Sequence, residues 1–260
     1  MIVPTLSPST IKLWDQDRAL FILKSLYGTK SEFSNVHAIR GIAVESGINK
    51  NVIECPQRVD NSIALEESLE VFDKLTRKAN TDRDVAREFR VSLTGFLTRG
   101  GVSLSGIFGG YEGVSSQIGI GFTYNGVNLH GFIDFLKGDT LVDLKCVNKI
   151  PSEVTRGERK GHLIGYKKND VLQVSIYKMA LGLEPVLLYV SESDILVHRV
   201  TEAEYVEAVS RVDLIINDIK DVFSREHEAI LEATVPENFN SIFWDADTIE
   251  AAKHIWSKYL

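Results

Sequence analysis

The sequence predicts a protein of the α/β or α+β class, with a central mixed sheet enclosed by helices. Three observations predict it. Apolar residues recur at helical spacing through the first hundred residues. Glycines and alternating apolar residues then dominate to about residue 147, and helical periodicity returns after residue 168. The order of helices, meander, helix, strands and helices favours a sheet core inside a helical frame.

The first hundred residues are predicted to be helical. Ser7 and Pro8 suit an N-cap followed by proline at the first helical position, and Ile11, Trp14 and Phe21 continue at helical spacing as one helix. The same periodicity predicts three further helices, over residues 37–50, 63–79 and 82–97. The pair Gly100-Gly101 is expected to end this helical region.

Three consecutive strands are predicted next, over residues 116–124, 127–136 and 140–147. Asn125-Gly126 separates the first two and is typical of a two-residue hairpin turn. Beyond them the sequence predicts a helix over 168–182, short strands at VLLYVS and ILVHRV, and polar helices over 202–230 and 246–259.

The bulk composition is that of an intracellular globular protein. The chain has 260 residues, of which 44% are hydrophobic and 25% charged. We expect one domain over 1–260, with a helical region at 1–100, a core at 101–200 and C-terminal helices at 201–260. No apolar run approaches the roughly 18 residues of a membrane span, and no secretory signal is visible. Two cysteines exclude a four-thiolate metal site and favour a reduced, cytoplasmic compartment.

Charge is distributed unevenly around a net value of −7. Residues 145–168 carry an excess of five positive charges, whereas residues 201–260 carry an excess of eight negative charges. A basic stretch of this kind could contact the phosphates of a nucleic acid, and a solvated loop is the alternative. The basic candidates for DNA contacts are Lys149, Arg156, Arg159, Lys160, Lys167 and Lys168.

The candidate chemistry lies in GFID (131–134) and DLK (143–145). Adjacent antiparallel strands would bring Asp134 and Asp143 within about 5 Å of each other, where two carboxylates require a shared proton or a divalent cation. Lys145 points to the same side as Asp143 and could orient or activate a bound water. The alternative is a salt bridge at a sheet surface. The tripeptide alone is unspecific, because Asp218-Ile219-Lys220 repeats it in a predicted helix.

Two further elements carry candidate polar residues. Gln173 and Tyr177 are four residues apart and therefore share one helix face, which suits a phosphate or nucleotide; a surface glutamine beside a core tyrosine is the alternative. Glu45 stands on a helix of small and apolar residues, where it is either exposed or a third carboxylate for the same metal.

Together these motifs resemble the RecB-like branch of the PD-(D/E)xK nucleases. The resemblance rests on SPSTIKLW (7–14), RGIAVESG (40–47), GFID, DLK and QVSIY (173–177). Within that branch the chain is similar to the small stand-alone exonucleases of phages and of mitochondrial genome maintenance, and to the CRISPR-adaptation nucleases. It implies a restriction-endonuclease-like core and a DNA exonuclease of phage or bacterial cytoplasm, working in replication, recombination or repair.

The resemblance also implies a role for each motif residue. Asp134 and Asp143 would ligate Mg²⁺ or Mn²⁺ with the carbonyl of Leu144, and Glu45 would complete the metal shell. Lys145 would position or activate the attacking water. The DNA and this lysine would be oriented by Gln173 and Tyr177.

Two features of related proteins are missing from the sequence. The cysteines that hold an iron–sulfur cluster in several relatives are absent, and no GxxxxGK[ST] phosphate-binding loop occurs. We therefore expect a nuclease that has no motor domain of its own. Its expected partners are DNA and a single-strand-binding or recombination protein. It could form oligomers and is not expected to bind a membrane. Three alternatives stay open: a structure-specific endonuclease, a catalytically inactive DNA-binding subunit, and a generic sheet with ion pairs.

Overall fold

The computed structural model describes residues 3–28, 35–150, 167–239 and 244–260. The predicted order of helices, meander, helix, strands and helices is confirmed, although two of the predicted helices are each divided in two. The helices and strands are α1 (Pro8–Gln16), α2 (Arg18–Leu26), α3 (Val36–Glu54), α4 (Asn61–Lys78), α5 (Arg83–Phe108), β1 (Ser115–Tyr124), β2 (Val127–Lys137), β3 (Thr140–Cys146), α6 (Lys168–Leu181), β4 (Glu184–Val190), β5 (Ile195–Arg199), α7 (Glu202–Phe223), α8 (His227–Ala233) and α9 (Ala246–Ile255). The predicted α/β class, a mixed sheet flanked by helices, is confirmed.

The strands of the described residues form one five-stranded sheet in the order β1-β2-β3-β4-β5. β3 is antiparallel to β2 and parallel to β4, while β4 is antiparallel to β5. A parallel pair needs a crossover connection, and α6 lies in the chain between β3 and β4. The sheet is therefore mixed, with β3 at its centre.

The chain groups into two compact units. One comprises Met1–Phe33, Gly121–Gly131 and Val206–Leu260, and the other comprises Ser34–Ile120 and Phe132–Tyr205. The expectation of a single nuclease domain over 1–260 stays a prediction.

In the first unit, the N-terminal helix begins as predicted but is shorter. Ser7 caps α1, since its Oγ accepts from the Thr10 N–H at 3.2 Å. The prediction of one helix through Phe21 is wrong, because Asp17 interrupts it and caps α2 by accepting from the Leu20 N–H at 3.0 Å. A short acidic side chain that bonds to nearby backbone competes with helix continuation.

The long C-terminal helix is likewise divided. A single helix over 202–230 is wrong, because α7 ends at Phe223 and α8 begins at His227. Ser224 directs its hydroxyl back to the Asp221 carbonyl at 2.7 Å, a local bond that favours a helix end.

The second unit has an apolar core that α3, α4 and α5 form with the sheet. Among its buried members are Ile48, Phe72 and Phe96 from the helices and Val142 and Leu188 from the strands. The core covers one face of the sheet. On the other face α6 contacts β4, and Gln173 of α6 donates a hydrogen bond to Asp143. β3 is therefore covered on both faces, and its residues 141–144 are buried.

The expected break at Gly100-Gly101 does not occur, and α5 continues to Phe108. The two glycines are needed for packing instead. A Cβ at Gly100 would lie 2.9 Å from the Ile48 Cδ1, and a Cβ at Gly101 would lie 3.1 Å from the Tyr111 hydroxyl oxygen. Close helix packing thus outweighs the low helix propensity of glycine.

The predicted hairpin turn is confirmed. Asn125 and Gly126 have φ angles of 48° and 77°, as a turn that matches the twist of the flanking strands requires. The turn fixes the register of β1 against β2.

We expect Gly47→Ala to destabilise the protein by about 1–3 kcal/mol, because a Cβ there would overlap the Ser68 hydroxyl and the Ala64 carbonyl, where α3 and α4 meet. Gly106→Ala is the matched control. It lies in α5 with nothing within 4 Å of the added Cβ and should stabilise by about 0.5–1 kcal/mol. Thermal unfolding measures both, and a Gly47→Ala variant as stable as the parent would refute this packing.

None of the helices in the described ranges combines the length and apolarity needed to span a bilayer.

Candidate active site

Asp143 and Lys145 form an ion pair at the centre of the sheet. Lys145 Nζ lies 2.6 Å from Asp143 Oδ2, and the Asp143 side chain is only 1% exposed. The predicted salt bridge is therefore present, but its carboxylate is buried in the sheet rather than exposed at a surface. A carboxylate buried to this degree is costly unless it is paired and hydrogen-bonded, which makes the pair a candidate functional element.

Gln173 connects this pair to α6. Its Nε2 donates to Asp143 Oδ1 at 2.8 Å and to the Tyr177 hydroxyl at 3.2 Å, and its Oε1 accepts from Lys145 Nζ at 3.2 Å. Tyr177 is buried at 3% exposure. The predicted shared face of Gln173 and Tyr177 is confirmed, and the structure places both beside Asp143 rather than leaving the glutamine on the surface. The amide fixes both members of the ion pair at once.

Asp134 reaches the same place from β2. The β2–β3 ladder pairs Phe135 with Val142, and further along β3 the Leu144 N–H donates to Asp134 Oδ2 at 2.8 Å. The predicted proximity of the two aspartates thus follows from the antiparallel register. The role of the Leu144 carbonyl as a metal ligand stays a prediction.

The three groups influence one another electrostatically. Burial, followed by the negative charges of Asp143 and Glu45, raises the pKa of Asp134 well above its usual range. Burial acts to lower the pKa of Lys145, but the charges of Asp143, Asp134 and Asp170 outweigh it and raise that pKa. In this arrangement Lys145 is an ammonium group. An ammonium can orient a water molecule and stabilise a negative charge, but it cannot abstract a proton.

Glu45 lies at the border of this cluster. Burial and the charge of Asp143 raise its pKa, so the two carboxylates are close enough to interact. The Glu45 Oε1 accepts from Gln117 Nε2, and Gln117 adopts a left-handed φ of 52° within β1. Because non-glycine residues rarely adopt this conformation, Gln117 is a local irregularity beside the cluster. The sequence analysis missed it, and no motif marks it.

The chemistry of these residues fits a hard divalent cation. Carboxylate oxygens are the ligands that Mg²⁺ and Mn²⁺ prefer, and a cation would offset the burial and the repulsion that together raise the pKa of Asp134. Within the described ranges, however, no three His, Cys, Asp or Glu side chains are already gathered as a metal shell. Asp134 and Asp143 are therefore the pair that would hold the ion, while Glu45 as a third ligand stays a prediction.

The predicted basic surface is only partly described. Lys149, Lys167 and Lys168 are exposed and flank the segment 151–166. Arg156, Arg159 and Lys160 lie outside the described residues. The role of all six as DNA contacts stays a prediction.

The sequence analysis also missed a second buried acid. Asp170, in the first turn of α6, is 8% exposed and accepts from the Tyr189 hydroxyl at 3.0 Å. Its charge contributes to the raised pKa of Lys145. The available signal was an acidic residue at the start of a helix that carries two other site residues.

The second D-x-K tripeptide, at 218–220, lies in α7 and makes different contacts. In the first unit, Asp218 Oδ2 accepts from Trp14 Nε1 at 2.7 Å and pairs with Arg18 at the same distance. This aspartate ties two helices together. The contrast confirms that the surrounding strands, rather than the D-x-K pattern, distinguish Asp143 and Lys145.

Comparisons with known proteins give a fold likeness. No protein-family model matches the chain, and no curated protein matches it in sequence. A crystal structure of a "Putative exonuclease" from Eubacterium rectale matches with a TM-score of 0.59 at 16% identity, covering 83% of this chain and 80% of that one. The structure of SSO0001 matches with a TM-score of 0.29 at 11% identity, covering 75% of this chain and 95% of that one, which carries no argument. The chain therefore shares the fold of the Eubacterium rectale protein.

Proposed function

We propose that this protein is a divalent-metal-dependent DNA exonuclease that hydrolyses phosphodiester bonds from a DNA end or a single strand. The observation that carries the proposal is the buried network of Asp143, Lys145 and Gln173 with Asp134 beside it. Buried groups that repel one another are costly to fold and are typical of catalytic sites. The fold shared with a protein described as an exonuclease supports the same class.

Each side chain has a role in this proposal. Asp134 and Asp143 would hold Mg²⁺ or Mn²⁺, which supplies a more acidic water and neutralises charge that develops on the phosphoryl group. Lys145, kept as an ammonium by its acidic neighbours, donates to the attacking water or to a phosphate oxygen. Gln173 sets the position of Lys145 and Asp143 together, and Tyr177 holds the amide in place.

The exposed lysines would meet the DNA backbone. Lys149, Lys167 and Lys168 lie at the ends of the basic segment that follows β3, the strand that carries Asp143 and Lys145. Phosphate contacts of this kind position a strand without reading its sequence and weaken as salt concentration rises.

The proposal is tested with end-labelled single-stranded DNA, linear duplex and covalently closed circular duplex, each with Mg²⁺, Mn²⁺ or EDTA. We expect metal-dependent release of short products from the linear substrates and an intact circle. A cut circle would favour a structure-specific endonuclease instead. The proposal fails if the wild-type chain binds DNA but cleaves none of the substrates with either metal, as an inactive DNA-binding subunit would.

A further inference from the structure

A cavity of about 660 Å³ lies in the second unit, and neither Asp134 nor Asp143 lines it. Four chain segments contribute to it: Arg40 from α3, the first turns of α5, Asn148 after β3, and Glu192 in the turn between β4 and β5. α5 approaches this turn closely at Gly95, where a Cβ would lie 3.2 Å from the Glu192 carbonyl oxygen. The cavity is thus built from packed elements.

Arg40 is the unusual member of the lining. Its side chain is 5% exposed, and its guanidinium carbon lies 4.2 Å from the Phe96 ring centroid and 5.0 Å from that of Phe89. Its Nη2 donates to Asn148 Oδ1 at 2.7 Å, whereas its Nε–H has no acceptor among the described residues. A buried donor without an acceptor costs free energy, and a ligand that supplies one recovers it.

The charges around the cavity are mixed. Arg40 and Arg87 are accompanied by three exposed acids, namely Asp84, Glu88 and Glu192. A bare phosphate would be repelled by this acidic rim. The lining instead suits a flat ligand that offers acceptors for Arg40, donors for the carboxylates, and an aromatic face beside Phe89, which is half-buried whereas Phe96 is only 1% exposed.

We propose that this cavity binds one unpaired nucleobase of the substrate strand, with guanine preferred. Guanine presents O6 and N7, the acceptors that arginine side chains contact most often, and its N1–H and N2–H₂ are donors for a carboxylate such as Glu192. An aromatic wall stabilises a stacked base of any identity. Only a single strand, a frayed end or an extruded base could supply this ligand.

The position of the cavity suits a strand that also reaches Lys145. Asn148 follows Lys145 by three residues, so the two backbones are at most about 11 Å apart. Arg40 precedes Glu45 on α3 by five residues, a rise of about 7.5 Å. One or two nucleotides could bridge the cavity and the candidate active site. The base pocket rests on the proposed function only in that a DNA substrate supplies the strand.

The binding arm needs no catalysis. Equilibrium dialysis of the full chain in EDTA, with labelled GMP and with AMP, CMP, TMP or inorganic phosphate as competitors, measures the preference of the cavity. EDTA prevents a metal from capturing the nucleotide phosphate at Asp134 and Asp143. We expect GMP to bind at least about fivefold more tightly than the other nucleotides, and phosphate to compete poorly.

Glu192→Gln and Arg87→Gln are the variants of choice, since both residues are exposed and the fold should tolerate their change. We expect Glu192→Gln to lower the preference for GMP about fivefold or more. Glu66→Gln, at an exposed glutamate of α4 outside the cavity, should leave it unchanged. Arg40→Lys adds a test at the buried group if circular dichroism shows that it folds.

Equal binding of all four nucleotides, or full competition by phosphate, would overturn the base pocket. An unaltered preference in Glu192→Gln would overturn the guanine assignment and with it the inference. If the chain cleaves DNA but shows no preference for GMP, the nuclease function stands and the base pocket is refuted. If the chain prefers GMP but cleaves no DNA, the base pocket stands and the proposed function is refuted.

Discussion

Lys145→Met is expected to lower DNA cleavage by about 10²–10⁴-fold, because the ammonium group beside Asp143 would be lost while most of the side-chain volume is kept. The measurement is the initial rate of product release from end-labelled single-stranded DNA in Mg²⁺ or Mn²⁺. Lys220→Met is the matched control. Lys220 belongs to the second D-x-K tripeptide, in α7, and its Nζ donates to the Asn125 carbonyl at 3.0 Å, so cleavage should persist.

Loss of Lys145 also removes the partner of a carboxylate that is 1% exposed, which should destabilise the protein by about 3 kcal/mol. A second variant separates lost folding from lost chemistry. The double change Asp143→Asn with Lys145→Met removes both charges, so its unfolding temperature should exceed that of Lys145→Met alone while cleavage stays absent. If Lys145→Met cleaves DNA as fast as the parent chain, the proposed role of this lysine is wrong.

Asp134→Asn is expected to abolish metal-dependent cleavage and to raise stability at neutral pH by about 0.5–2 kcal/mol. The reason is that burial and the charges of Asp143 and Glu45 hold the pKa of Asp134 well above its usual range, so its ionised form is unfavourable in the folded state. The amide oxygen of asparagine can still accept from the Leu144 N–H. Guanidinium unfolding at several pH values gives the difference in the free energy of unfolding.

The sign of the pH dependence follows from the raised pKa. The stabilisation linked to the Asp134 proton is fully present below the unfolded pKa of about 3.9 and is lost as pH rises through the higher folded pKa. The advantage of Asp134→Asn should therefore be small near pH 4 and grow toward neutrality. Asp139→Asn, at an exposed turn position, should change stability by less than about 0.5 kcal/mol. An Asp134→Asn variant that is less stable than the parent at pH 7 would contradict this account.

The meander and its site were predictable because their signals are local. Asn125-Gly126 determines one hairpin, and strands of known register bring Asp134 toward Asp143. The spacing of Gln173 and Tyr177 sets their shared helix face in the same way. The shared strand face and the shared helix face follow from the two-residue period of a strand and the 3.6-residue period of a helix, which a sequence displays directly.

Other features depend on contacts between distant segments and have no such signal. The extension of α5 through Gly100 depends on the side chain of Ile48 on another helix. The burial of Asp143 depends on helices that cover both faces of β3. Arg40 stands in an apolar helix sequence, and only the structure places it against Phe89 and Phe96.

Manganese binding tests the central claim most directly. Crystals of the wild-type chain soaked in MnCl₂ and measured at the manganese absorption edge would show the ion by its anomalous scattering. We expect one peak in contact with carboxylate oxygens of both Asp134 and Asp143, and no peak there in Asp134→Asn crystals. Wild-type crystals in which these carboxylates are ordered but contact no manganese would contradict a metal-dependent nuclease site.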